Sequence, residues 1–367
     1  MKRILCMILA MVMCFGLVAC SGDNEGTQVS DKPGNSSTVS DNTDGSEAKP
    51  EFTWKVSFSY GENTARYTVQ YLEEISKASG GRIDFEYYYS NSLITIPEIP
   101  KALRDGTADM SALPGAMFPD QLVYTAFPFS IPFVGFADPH DAVDAWWDMY
   151  DEFPEVEQEL AELGIVNWYT YFTPAYNLFF SDNVTVETPE DLAGHKIMVT
   201  KPSLADLITE KNGAPLGSAP SDYYSNLEKA VADGVVTGWS QINTFGIAEL
   251  IKSTTEFGDT GSHYDTSAMA ISKKSWDKLP ADIQQLFIDC ARELSHVEVD
   301  RSLDSTQTAL ENCASATRHI LTEDQVAVWA EALAPFGQME LQEKYDQGYT
   351  KIFDEYNFLV DWVAQHK

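Results

Sequence analysis

Two cysteines and two histidines are the first residues to test for chemistry. Cys290 is followed six positions later by His296, and Cys313 by His319, a thiolate–imidazole pairing that suits zinc. Helical geometry argues against it, because positions i and i+6 lie about 240° apart and face different ways. If residues 281–316 form one helix, a rise of ~1.5 Å per residue sets the two cysteines about 35 Å apart. That excludes a shared metal and a disulfide. The histidines as a set (His140, His195, His263, His296, His319 and His366) show no ligand spacing, so no metal site and no cofactor is expected. No G-x-S-x-G elbow, G-x-G-x-x-G turn, P-loop or H-E-x-x-H helix occurs either. With 56 Asp and Glu, carboxylate pairs are everywhere and none singles itself out as an acid–base couple. Asp41-Asn42-Thr43-Asp44-Gly45 resembles a calcium loop, but Thr stands at the third position and no bidentate Glu follows. Catalysis finds no carrier here, and binding is what remains.

The charge balance limits what is bound. Against 56 acidic residues stand 24 Lys and Arg, for a net charge of −32. Nucleic acid and anionic lipid both select basic surfaces, so neither is an expected partner of the folded part. Hydrophobic residues make up 44% of the chain, ample for a packed core. Tyr87-Tyr88-Tyr89 and Trp146-Trp147 read as packing rather than as ligand platforms.

The N-terminus reads as an export signal. Lys2 and Arg3 precede an apolar run from Ile4 to Val18, closed by Leu17-Val18-Ala19-Cys20. The run falls short of the ~20 residues that span a bilayer. Leu-Val-Ala-Cys resembles a bacterial lipobox, which makes Cys20 a lipidated first residue and places the protein on the outer face of the cytoplasmic membrane. Residues 21–50 hold 20 Ser, Thr, Gly, Asn or Asp and no aromatic, the composition of a solvated tether.

Beyond Phe52 strands and helices alternate. Phe52–Tyr60 and Arg82–Tyr89 read as strands around a helix at 65–79, which Gly80-Gly81 stops. Pro97–Asp105 reads as a short helix, Ala108–Leu113 as a strand, and Asp138-Pro139 as a helix start. Val123–Ala137 is apolar but holds Pro128, Pro132 and Gly135, and reads as buried irregular chain. Thr188–Gly194 is a capped single turn. Further on come a strand at His195–Thr200, helices at 203–212 and 221–232, and strands at Val235–Ile242 and Ala268–Ser272. A long helix and a helical tail from Glu323 close the chain. Such alternation predicts α/β units with largely parallel sheets.

These landmarks, in order, resemble the DctP-type solute-binding proteins of tripartite ATP-independent periplasmic (TRAP) transporters over about residues 52–340. They are Ala102-Leu103-Arg104-Asp105-Gly106-Thr107-Ala108-Asp109-Met110, Pro132-Phe133, the Thr188–Ile197 turn and Gly234-Val235-Val236-Thr237-Gly238. His263-Tyr264 and Ser272–Pro280 complete the set. The resemblance implies an α/β, two-domain, periplasmic-binding-protein-like fold with a hinge and long C-terminal helices. It implies no enzyme, but a binder that closes on a small organic solute and delivers it to small and large permease subunits in the membrane. On this reading residues 1–19 are signal and 20–51 tether. Residues 52–175 with 266–300 form one domain, and 176–265 with 301–367 the other. Hinges are expected near 173–177 and 264–268. A sensory lipoprotein that presents its bound state to a membrane receptor remains the alternative.

The resemblance also points to the pocket. Where the family places arginines, this chain has Tyr176 and Met198, and Lys201 is the nearest substitute cation. Trp239 and Gln241 are expected on the facing strand, for stacking and amide hydrogen bonds. Tyr60, Glu98, Asn243 and Tyr264 complete the candidate contacts. Tyr and Met in place of arginine predict a neutral or partly aromatic solute rather than a small dicarboxylate.

Overall fold

A computed structural model describes residues 49–173 and 175–366. The expected signal, Cys20 and nearly all of the tether therefore lie outside the described residues. From Phe52 the order is β1 (Phe52–Ser57), α1 (Glu62–Ala78), β2 (Ile83–Tyr88), α2 (Ile99–Asp105), β3 (Met110–Pro114), α3 (Val123–Ser130), α4 (Pro139–Glu152), α5 (Pro154–Glu162) and β4 (Ile165–Thr173). A second run follows: β5 (Tyr176–Phe180), β6 (Lys196–Met198), α6 (Pro202–Glu210), β7 (Ala214–Leu216), α7 (Tyr223–Glu228), β8 (Gly234–Gly238), α8 (Trp239–Ile242) and β9 (Ser253–Glu256). The chain ends with β10 (Asp265–Ser272), α9 (Lys273–Trp276), α10 (Ala281–Asn312), β11 (Thr317–Ile320), α11 (Glu323–Asp346) and α12 (Ile352–His366).

The local signals act as their chemistry requires. Asp138 caps α4 by accepting the His140 N–H at 2.8 Å, with Pro139 in the first turn. Gly106 ends α2 in the left-handed region at φ 79°, where a Cβ is costly. In α1, Ala65, Thr68, Leu72 and Ile75 share the buried face; full burial of Leu72 alone contributes about 1.5–3 kcal/mol.

Among the described residues, eleven strands form two sheets. The first has the order β2-β1-β3-β10-β4 and the second β11-β9-β5-β8-β6-β7. Both are mixed rather than largely parallel. β1 runs parallel to β2 and β3, but β10 is antiparallel to β3 and β4. β5 is antiparallel to β8 and β9.

Three expectations need correction. Val123–Ser130 is helical despite Pro128. Glu159 on α5 accepts the N–H groups of Val123, Tyr124 and Thr125 at 2.7–2.9 Å, so a distant carboxylate satisfies the first turn. The strand expected to reach Ile242 stops at Gly238, and Trp239–Ile242 turn into a helix. Finally, the tail expected with the second unit divides. Trp329 and Leu333 of α11 join the core under the second sheet. Leu359, Trp362 and Val363 of α12 join the core of the first, where Trp362 donates to Asp148 at 2.9 Å.

α10 likewise spans both cores, with Phe287 and Leu294 in the first and Ala309 against the second sheet. Cys290 and Cys313 are both buried free thiols, and burial pushes Cys290 up to about 12. Among the described residues no helix is long and apolar enough to cross a membrane. Nor does any group of three or more His, Cys, Asp and Glu among them suit a metal ion.

Candidate functional site

The chain leaves the first sheet at Thr173 and enters the second at Tyr176. On its return it runs beside that crossing. Ser262 N donates to Tyr176 O at 2.9 Å, Tyr176 N donates to His263 O at 3.2 Å, and β10 starts two residues later. The contact is tight enough to need glycine. Gly261 sits at φ +59°, and a Cβ there would lie 2.3 Å from that of Ala175. Packing at this crossing sets Tyr176 of one sheet against Asp265 of the other.

A cavity of about 70 Å³ adjoins the pair. Pro114, Ala116 and Met117 after β3 line one side, with Asp265, Thr266 and Ser267 of β10 and Thr173 of β4. Tyr176, Thr200, Pro220, Tyr223, Val236, Thr237, Gln241 and Phe245 line the other. At about 10–15 Å³ for each water-sized centre, it holds about five such atoms, the scale of a small organic molecule.

Its electrostatics centre on one carboxylate. The Tyr176 hydroxyl donates to Asp265 Oδ2. Burial, then the neighbouring Asp265 charge, holds Tyr176 well above the usual phenol range. Burial also raises the Asp265 carboxyl, against the Tyr176 hydrogen bond and the field of Lys201. His263 lies over the Tyr176 ring with centroids 4.5 Å apart, and burial pushes it down to about 3, so it is neutral at physiological pH. Thr237 Oγ1 donates to Gln241 Oε1 at 2.5 Å. That fixes the amide of Gln241 at the cavity wall.

Of the residues expected to form the pocket, Tyr176 and Gln241 meet at this cavity. The others stand elsewhere. Met198 is fully buried among Phe179, Tyr223 and Leu227, and its sulfur accepts from Asn226 Nδ2 at 3.6 Å. It is a core side chain, not a solute contact. Lys201 is buried with its ammonium 2.7 Å from Glu340 Oε2 and 3.1 Å from Ser130 Oγ. Its charge is committed to α11, and burial lowers its pKa. Trp239 packs edge-on against Phe179 at 4.8 Å, because the strand ends before it and the helical turn aims its ring into the core. Asn243 accepts from Asn312 at 2.9 Å. Tyr264 is buried and donates to Phe136 O at 2.9 Å. Glu98 is exposed and closes a capping box with Thr95. Tyr60 meets Phe58 at a tilt with ring centroids 5.5 Å apart and packs against the core of the first sheet. Asp265, Tyr223 and Ser267 are among the lining residues that the sequence did not point to. One Asp among 56 acidic residues carries no signal of its own.

Two sheets flanked by helices and joined at a crossing, with a small cavity between them that one carboxylate and several hydroxyls line, define a solute-binding protein. The family model of bacterial extracellular solute-binding proteins, family 7, matches residues 58–344. The chain belongs to that family, the DctP-type solute-binding proteins of TRAP transporters, and is a binder rather than an enzyme. It is 26% identical to the C4-dicarboxylate-binding periplasmic protein DctP of Rhodobacter capsulatus, over 72% of this chain and 78% of that one. To the Vibrio cholerae DctP it is 25% identical, over 77% of this chain and 85% of the relative. Among solved structures, a TRAP solute-binding protein from Ochrobactrum anthropi superposes with a TM-score of 0.75 at 18% identity, covering 87% of this chain and 97% of that one. One from Rhodoferax ferrireducens, in complex with copurified benzoate, gives 0.74 at 17% identity, covering 86% and 98%. At these identities the structural likeness speaks for the fold alone.

Proposed function

We propose that this chain is an exported lipoprotein, acylated at Cys20, that captures a small organic solute between its two sheets and hands it to the small and large membrane subunits of a TRAP permease. The observation that carries this reading is the cavity wall, assembled from both sheets at the point where the chain crosses between them. A solute held there contacts both halves at once, so it binds the closed arrangement best and draws the halves together. Tyr176 on β5 and Gln241 on α8 contact the solute from the side of the second sheet. The bodies that move are 52–175 with 266–300 and 176–265 with 301–367, except that Asp265 at the head of β10 and α12 travel with the first.

Relatives support a small organic ligand. The DctP proteins of R. capsulatus and V. cholerae bind C4-dicarboxylates by their names, and structural neighbours hold β-D-galacturonate, benzoate and mandelate. A thermal-shift screen of organic acids, amines, sugars and aromatic metabolites tests the capture step, because a ligand of the native state raises its melting temperature. Small-angle scattering on the best hit should show compaction; an unchanged radius at saturation would count against closure. Proteoliposomes holding the two membrane subunits should take up that solute only when the protein is added. For the anchor, Cys20→Ala should abolish acylation; a variant that still partitions with membranes in acylated form would refute it.

A further inference from the structure

Asp265 is the one charged side chain in the cavity wall, and this points to the solute. Among the described residues that line the cavity there is no Lys, Arg or His. We infer that the cavity takes a solute bearing a strong hydrogen-bond donor, best a protonated amine, whose nitrogen sits against the Asp265 carboxylate. This rests on the solute-binding reading above and adds the chemical class.

Three observations carry it. The Tyr176 hydroxyl occupies Oδ2 of Asp265, a carboxylate has about four acceptor sites, and Asp265 lines the cavity with that remaining capacity. Lys201 is the cation whose field reaches Asp265, but its ammonium is engaged by Glu340 and Ser130 and it is not among the residues that line the cavity. Lastly, the rest of the wall suits an amine with a short polar or apolar body. Thr237, Ser267 and Tyr223 offer hydroxyls that accept as readily as they donate, and Phe245 meets the Tyr223 ring edge-on at 5.1 Å, an aromatic surface that favours cations. A carboxylate solute would meet a like charge here, with no guanidinium fork to hold it.

The groups facing Asp265 are Tyr176 on β5, Tyr223 on α7 and Lys201 before α6, with neutral His263 just ahead of it in the chain. Burial raises the Asp265 carboxyl above its ordinary range, so the empty site keeps a proton there to higher pH than a free carboxyl does. An amine displaces that proton to solvent, so its affinity should rise with pH until the amine itself deprotonates. An acid held by protonated Asp265 would do the reverse.

Calorimetry on the full mature protein with matched pairs, ethanolamine against glycolate and benzylamine against benzoate, decides the matter. The amine of each pair should bind about tenfold or more tighter than its acid near neutral pH. Its affinity should climb from about pH 5 to about pH 8, and Asp265→Asn should erase the preference. If that variant does not fold, the pH trend of the wild type decides alone. Acids that outbind their amines, or affinity that falls with pH, overturn the amine assignment and leave solute binding intact. No stabilisation by these pairs or by any member of the wider metabolite screen overturns both readings.

Discussion

Tyr176 on β5 donates its hydroxyl hydrogen to Asp265 at the head of β10, a bond that joins the second sheet to the first. It gives a buried carboxylate its partner and links the two halves at the cavity. Tyr176→Phe removes the donor and leaves Asp265 less satisfied, at a cost of about 1–3 kcal/mol. Chemical denaturation should show that loss, and the pKa of Asp265 should rise further. A variant as stable as the wild type, with an unaltered Asp265 titration by NMR, would mean that the bond contributes nothing.

Met198→Arg tests whether the family's arginine position belongs to the pocket. Met198 is fully buried in the core beside β8, so a guanidinium there has neither water nor a carboxylate partner. The expected cost is about 3–5 kcal/mol, read as a large drop in melting temperature. No affinity for simple carboxylates should appear. A well-folded variant that gains such affinity would put position 198 in the pocket after all.

Lys201 and Glu340 form a buried pair that ties the start of α6 to α11, and Glu340 Oε1 also accepts the Ser203 N–H at 2.7 Å. Lys201→Met alone strands the carboxylate and should cost about 3–5 kcal/mol. Lys201→Met with Glu340→Gln should recover much of it, since no charge is then left alone. A double-mutant cycle with no coupling would show that the two charges act independently.

What was legible in the sequence was punctuation. Asp138-Pro139, Gly106 and the Thr188–Asp191 capping box mark element ends by local chemistry, and the structure has them there. The α3 helix was not legible, because its first turn is satisfied by Glu159 from another helix. Nor was the end of β8, where Gln241 reaches back to Thr237 and begins a turn. The site divides in the same way. Tyr176 stands at a landmark of the family, while Asp265 gains its meaning only from the distant strand that crosses it. Met198 misled because its position in the family pattern says nothing about the direction of its side chain.

Glu355 of α12 gives the protein a second titratable device, well away from the cavity. It is fully buried and neither carboxylate oxygen has a hydrogen-bond partner. Burial, then Glu159, Glu155 and Asp354, pushes it up to about 10. Glu159 differs in that α3 backbone N–H groups share its charge. The sign follows from linkage. The folded pKa of Glu355 lies above the unfolded value near 4.5, so the native state prefers the protonated form. Stability from this group is fully present below the unfolded pKa and is lost as pH rises towards the folded one. At pH 8, about 3.5 units above the unfolded pKa, the wild type has forfeited about 5 kcal/mol. Glu355→Gln removes the proton's role and should stabilise the protein by about that amount at pH 8. For a protein of this size that is about 7–10 °C in melting temperature. The gain should shrink towards zero as the pH approaches 5. Paired melts of variant and wild type across that range check it: a difference that does not change with pH would mean that Glu355 ionises freely and that α12 does not bury it in the core of the first sheet.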